Sequence, residues 1–204
     1  MINSRSISFP ILGLVVGCIT WPCLAAPVTD VAGLVKAVNS GSPGDTIEIA
    51  AGTYKLTAPL TPRANMTIKG AGVGKTIITA SDEWKPGTAG LPGKDNPDAY
   101  LFTFAKTDGL TFRDMTLTAP NLHGAIYGRH SEGLHLHDLR FERFLWSGVR
   151  TYVLSNMRVH DCEFIDSGGK VKHTGGGLYM HFTKDSEFWN LRIVKTDKHP
   201  TNFF

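Results

Sequence analysis

Four stretches of the chain share one order of apolar and polar positions: DGLTFRDMTLT from Asp108, EGLHLHDLRFE from Glu132, SNMRVHDCEFI from Ser155 and DSEFWNLRIV from Asp185. The common frame is apolar, any, apolar, any, Asp or Asn, apolar, any, apolar. Alternation on both sides of the acid or amide has a period of two, which predicts a pair of short strands with one buried face rather than a helix. Asp114, Asp138, Asp161 and Asn190 stand 24, 23 and 29 residues apart. Such a side chain bonds nearby backbone and tolerates a left-handed bend, so this column is predicted to turn a corner between the two strands. Stacked on one another, the repeats give three apolar columns. They are Phe112, Leu136, Val159 and Phe188, then Met115, Leu139, Cys162 and Leu191, then Leu117, Phe141, Phe164 and Ile193. Looser matches one and two turns earlier are Met66 with Ile68, and Ile47 with Ile49.

A third strand opens each coil: AIYGRHS from Ala125, VRTYVLS from Val149 and LYMHFTK from Leu178, preceded by Gly124, Gly148 and Gly177. Three strands per coil of ~20 to 30 residues is the pattern of a parallel β-helix solenoid, predicted over roughly residues 42–204. Before the coils, Val31, Leu34, Val35 and Val38 recur at helical spacing behind the capping residues Thr29 and Asp30. This predicts a helix near 29–39 that plugs the open end of the solenoid and shields its strand edges. Ser81 to Pro97, rich in glycine and proline, is expected to be a surface loop.

Composition narrows the class without changing this picture. The 204 residues are 42% hydrophobic and 19% charged, an ordinary globular mixture, with 22 glycines and 11 prolines to supply turns. A net charge of +3 is far from the dense positive field of a nucleic-acid binder, so no nucleic-acid partner is expected. Met1 to Ala26 reads as a secretory signal, with Arg5 in the charged region, an apolar run around Ile11 to Val16 and small residues at Cys23-Leu24-Ala25. Val15-Val16-Gly17-Cys18 also resembles a lipobox, which would anchor the protein through Cys18 instead of releasing it. The apolar run is too short to span a bilayer, which takes about 20 residues. The expected organisation is therefore a signal over 1–26 and one solenoid domain over 27–204, secreted or periplasmic and monomeric. Cleavage after the signal leaves Cys162 as the single cysteine, so no internal disulfide is expected.

The order of a helix, PGDTIEIAAGTYKL from Pro43, NMTIKGAGVGKTIITA from Asn65 and then the coils resembles the pectate-lyase-like right-handed parallel β-helix superfamily. Its opening is similar to the alginate and chondroitin lyase branch. The resemblance implies an all-β, right-handed solenoid with an N-terminal capping helix. It leaves the reaction open among lyase, hydrolase, epimerase, esterase and adhesin. It also implies a longer chain, because Asn202-Phe203-Phe204 begins what reads as another coil, and it admits calcium as a cofactor. No oxygen cluster of the kind calcium requires is evident in the sequence, however, and none of the residues present is assigned to a metal.

Candidate chemistry follows from the phase of the opening strands. With Ala125, Val149 and Leu178 inward, Ile126, Arg150 and Tyr179 align outward. Gly128, Tyr152 and His181 follow, then His130, Leu154 and Thr183. Arginine pairs with a carboxylate through two parallel donors and tyrosine stacks on sugar rings, so this face suits an acidic polysaccharide. It also suits β-elimination, which needs the uronate carboxylate neutralised and a base for the adjacent proton. Arg150 is the expected neutraliser, with Tyr179 or His181 as base or acid. Tyr152, His130 and the residues Lys170, Lys172 and His173 of the long loop 167–177 are expected to bind substrate. The competing readings are an ordinary solvated face and a non-catalytic glycan-binding or adhesive solenoid.

A second outward face carries His135, His137 and His160, which the repeat brings together across adjacent coils. Three imidazoles can hold zinc, but Arg113 and Arg158 flank them, and a histidine ladder or an anionic-glycan surface is the expected reading. Gly70 to Thr76 imitates a phosphate-binding loop, yet Thr76-Ile77-Ile78-Thr79 reads as a strand and not as the helix such a loop must open. A turn between coils is expected there instead.

Overall fold

The computed structural model describes residues 26–86, 96–167 and 176–194, together with the backbone of 201–203. The expected signal with Cys18, the middle of the 81–97 loop and the loop residues Lys170, Lys172 and His173 lie outside the described residues.

Helix α1 spans Val31–Ser40, capped by Asp30, whose carboxylate accepts from the Gly33 amide at 2.7 Å. Asp30 satisfies one of the amide groups left free in a helix's first turn. Leu34 and Val38 face the core, so the helix closes the first coil as its spacing predicts.

Thirteen strands follow among the described residues. The first are β1 (Thr46–Glu48), β2 (Gly52–Leu56), β3 (Thr67–Lys69), β4 (Thr76–Ala80), β5 (Tyr100–Ala105) and β6 (Thr111–Thr118). Next come β7 (Gly124–Glu132), β8 (His135–Glu142), β9 (Ser147–Ser155) and β10 (Arg158–Ile165). The series ends with β11 (Gly176–His181), β12 (Glu187–Val194) and β13 (Thr201–Phe203). Their pairings are all parallel. One sheet runs β1-β3-β6-β8-β10-β12, with β2 and β4 joining beside β6, and the other runs β5-β7-β9-β11-β13. From β5 onward the strands alternate between the two sheets as the chain winds, and the architecture is a right-handed parallel β-helix.

The interior columns form in the predicted register. Phe112 pairs with Leu136, Leu136 with Val159 and Val159 with Phe188, and the Met115 and Leu117 columns continue likewise. Asp114, Asp138, Asp161 and Asn190 all have φ between 48° and 59°, so the acid or amide column turns the corner in the left-handed region. Upstream there is one difference. Ile47, rather than Ile49, stands level with Ile68 and Phe112.

The opening strands differ more. Gly124 pairs with Ser147, Ser147 pairs with Gly176, and Ile126 pairs with Val149, which pairs with Leu178. The expected alignment of β7 is thus one residue out. The cause is a corner at Ala125, Gly148 and Gly177. There two successive positions, Ala125 and Ile126 in β7, both belong to the core, which breaks the alternation on which the phase was set. Behind this corner Phe141 and Phe164 stack face to face at 4.6 Å. A Cβ on Gly148 or Gly177 would stand 2.8 Å from the Phe164 ring, so only glycine fits between strand and ring.

Thr76–Ala80 is a strand in the sheet, which excludes a phosphate loop at Gly70 to Thr76. The described ends of the 81–97 loop are pinned by Trp84, which is buried and donates its indole N–H to the Asp98 carbonyl at 3.2 Å.

Candidate functional site

In the observed register the outward columns of β7, β9 and β11 are Tyr127, Arg150, Tyr179 and then Arg129, Tyr152, His181. Arg150, Tyr179, Tyr152 and His181 therefore share one face across adjacent coils, as expected. Ile126 and Gly128 do not belong to it, and their places are taken by Tyr127 and Arg129. Leu154 is also corrected: it is buried in the core and level with Ser131. His130 stands at a left-handed corner, φ 49°, beside the face rather than on it.

The face is not a plain solvated surface. Arg150 is only 5% exposed, its guanidinium lying 4.7 Å from the Trp146 ring centre, 4.7 Å from Tyr179 and 5.4 Å from Tyr152. Aromatic faces attract a cation most strongly once it is out of water, which is how this strand holds a charge against its own desolvation. Arg150 Nη2 donates to the Tyr152 hydroxyl at 2.7 Å. Tyr152 in turn stacks on His181 at 4.6 Å and 4°, and Tyr179 leans against His181 at 4.8 Å.

Three further residues that the repeats do not reveal complete the wall. Trp146 and His123 stack at 4.2 Å and 7°, and Tyr100 packs on Tyr127 at 5.0 Å while meeting His123 edge-on. Tyr100, Tyr127 and Ala99 form a small cluster outside the solenoid core, with Tyr152 packed on it. The buried His123 Nδ1 and Trp146 Nε1 have no hydrogen-bond partner among the described residues. Burial, and next the charge of Arg150, lower the His123 pKa and so favour the neutral ring. His123 and Trp146 occupy the same offset, one residue before Gly124 and Ser147. That shared position is the signal in the sequence that points to them.

None of the residues on these outward columns is a carboxylate. Calcium takes six to eight oxygen ligands, mostly carboxylates and carbonyls. The described residues of the face do not supply that set, and no step is assigned to the ion here.

The histidines of the other sheet do converge. His135 Nε2 and His160 Nε2 are 2.8 Å apart, His137 and His160 stack at 5.1 Å, and Trp189 extends the stack at 4.2 Å from His160. His137 and His160 are each held through Nδ1 by the following aspartate, Asp138 or Asp161, at 2.7 Å. Among the described residues no three His, Cys, Asp or Glu side chains are arranged to hold a metal ion. The flanking Arg113 is paired with Asp114 at 2.9 Å and Arg158 with Glu187 at 3.6 Å. A cavity of about 770 Å³ lies beside this ladder, lined in part by His135, Arg158, Asp185 and Glu187. Its charges are largely answered within the protein, which makes this surface a self-satisfied ladder and a weaker candidate than the Arg150 face.

No family model matches the chain, and no curated protein matches it. Solved structures do. An alginate lyase from Paenibacillus sp. str. FPU-7 superposes with a TM-score of 0.65 at 18% identity, over 85% of this chain and 59% of that one. The A-modules of two Azotobacter vinelandii mannuronan C-5 epimerases, AlgE6 and AlgE4, superpose with TM-scores of 0.61 and 0.60, each at 17% identity and over 86% of this chain. The chain spans about half of each module. At these identities the likeness is one of fold: the chain is a right-handed parallel β-helix. No helix among the described residues is long and apolar enough to cross a membrane.

Proposed function

We propose that the protein is an exported enzyme that cleaves an acidic polysaccharide by β-elimination at a uronate residue. The observation that carries this reading is the buried Arg150 guanidinium, framed by Trp146, Tyr152 and Tyr179 and bonded to the Tyr152 oxygen. The fold neighbours named for alginate and mannuronan chemistry support the same substrate class.

β-Elimination begins with loss of the proton on C5. That proton becomes acidic only when the adjacent carboxylate is neutralised. Arg150 supplies the positive field. The half-buried rings of Tyr152, Tyr179 and His181 provide the surface on which a sugar ring rests. In this reading Tyr152 acts as the phenolate, its own proton lost to solvent before the substrate binds; the bond donated by Arg150 favours that form, so its oxygen can take the C5 proton. As the C5–H bond breaks, the C4=C5 bond forms and the C4–O bond opens. His181, stacked on Tyr152, is in this reading the group that returns a proton to the departing oxygen.

The test is a comparison of Arg150→Ala, Tyr152→Phe and His181→Ala with wild type on alginate, pectate and chondroitin. Loss of a group that acts in the transition state lowers turnover by about a hundredfold or more. Full activity in Arg150→Ala removes this face from the mechanism. Binding of these glycans by wild type with no unsaturated product and no other chemical change in the polymer assigns the protein instead to the non-catalytic, adhesive solenoids.

A further inference from the structure

Among the described residues, thirteen that are not glycine have a positive φ, and eight of these are Asn or Asp. Those two residues tolerate the left-handed region because their short polar side chains bond the local backbone. Of the five exceptions, four fall in one column, Lys106, His130, Val153 and Phe182, at φ 53°, 49°, 55° and 52°. Ala105 pairs with Arg129, Arg129 with Tyr152 and Tyr152 with His181, so each member follows a residue of the outer face column by one position. A β-branched valine in this region is a true outlier, and strain of this kind collects at functional sites.

Core packing does not explain the column. Val153 is 45% exposed and Phe182 70%, and Lys106 and His130 are exposed as well. At the sister corner on the opposite sheet, the same conformation is filled by Asp114, Asp138, Asp161 and Asn190. This corner gives up that relief and presents side chains of another kind: basic in the first two coils, apolar in the next two. It adjoins Arg129, Tyr152 and His181 directly, and the Phe182 ring lies 6.4 Å from that of His181.

We infer that this strained corner is a binding rim for an acidic polysaccharide lying along the solenoid axis, with sugar rings against Phe182 and Val153 and carboxylates toward Lys106, Arg129 and His130. Successive coils repeat every ~4.8 Å, which lets an extended polymer meet one coil after another. The apolar face of a pyranose ring fits an exposed phenyl and isopropyl group, and the basic end answers the charge of a uronate chain. The inference rests on the acidic-polysaccharide reading of the adjoining face. It adds to that reading the direction of the chain and the residues that hold it away from the reacting bond.

The test is electrophoresis of the intact protein through native gels containing alginate, pectate, chondroitin or a neutral glucan, with thermal unfolding measured in parallel. Phe182→Asn and Val153→Asn suit the left-handed backbone, so both should melt at or above the wild-type temperature, yet bind acidic glycan at least about fivefold more weakly. Phe182→Tyr should bind as wild type does. Retardation by acidic glycan that is unchanged in both asparagine variants overturns the rim and leaves the Arg150 face untouched. Wild type that no acidic glycan retards, whether or not the neutral glucan does, overturns the rim and the substrate class together. Binding that Phe182→Asn weakens, in a protein that yields no unsaturated product, upholds the rim and rejects the lyase.

Discussion

Strand β9 carries Arg150 and Tyr152, and its position against the core depends on a glycine, which makes Gly148→Ala an informative perturbation. The added methyl would lie 2.8 Å from Phe164 Cδ1 and 3.0 Å from Phe141 Cβ, well inside ordinary van der Waals contact. Phe164 has little room to tilt, because its ring is stacked on Phe141 at 4.6 Å and 2° and Gly177 covers it in the next coil. Gly148 does not have a positive φ, so the cost is steric rather than conformational. Overpacking of this kind costs about 1–3 kcal/mol. Phe164→Ala alone opens a cavity and costs about 3–5 kcal/mol. In the double variant the methyl added at position 148 enters the vacated space and keeps only its 3.0 Å approach to Phe141 Cβ, so most of its penalty should go, leaving a coupling of roughly 1–3 kcal/mol between the two sites. Urea unfolding followed by circular dichroism measures all four corners of the cycle. Additive changes, with a coupling below about 0.5 kcal/mol, would refute the claim that glycine is required here to admit the phenyl stack.

Three further outcomes are expected. His123 and His135 both have lowered pKa values, chiefly through burial, so the unfolded chain binds protons more readily than the folded one. Stability should be flat above about pH 6.5, the ordinary value, and fall as pH drops below it, and His135→Gln should flatten part of that slope in pH-dependent melting. Asp161 acts in the same direction but in a more acid window. Its carboxyl is held below the ordinary range by hydrogen bonds from His160 and Asn190, so its contribution persists above about pH 4 and disappears under stronger acid, a loss that Asp161→Asn should remove. Burial pushes the Cys162 thiol up to about 12, so a thiol reagent at about pH 8 should label Cys162, followed by peptide mapping, far more slowly in the folded protein than in the unfolded one, and equal rates at that residue would place it at the surface.

The fold was legible because one face of each two-strand segment must be buried and its period is two. Columns such as Phe112, Leu136, Val159 and Phe188 therefore align by inspection, and Asp or Asn marks the corner where only a few residues sit comfortably. The site was half legible. Arg150, Tyr152, Tyr179 and His181 lie on adjacent strands with intact alternation, and the sequence brings them together. Tyr127 and Arg129 were displaced by one residue because the Ala125 corner turns two successive side chains inward, which no period of two can represent. Tyr100, His123 and Trp146 stand at strand entrances outside the repeats, where hydrophobic phase carries no information about direction. Their aromatic packing is what removes Arg150 from water, and that burial could not be read from an outward phase alone.

The central claim is that the Arg150 face performs elimination on a uronate chain, and the reaction's own product tests it most directly. Elimination leaves a C4=C5 double bond conjugated to the carboxylate, which absorbs near about 235 nm, and hydrolysis does not. Wild type incubated with alginate, pectate and chondroitin should develop this absorbance on at least one of them, and Arg150→Ala should lose about a hundredfold of the rate or more while melting as a folded protein. Cleavage of any of these polymers into fragments that lack the absorbance, or equal rates in wild type and Arg150→Ala, would contradict it.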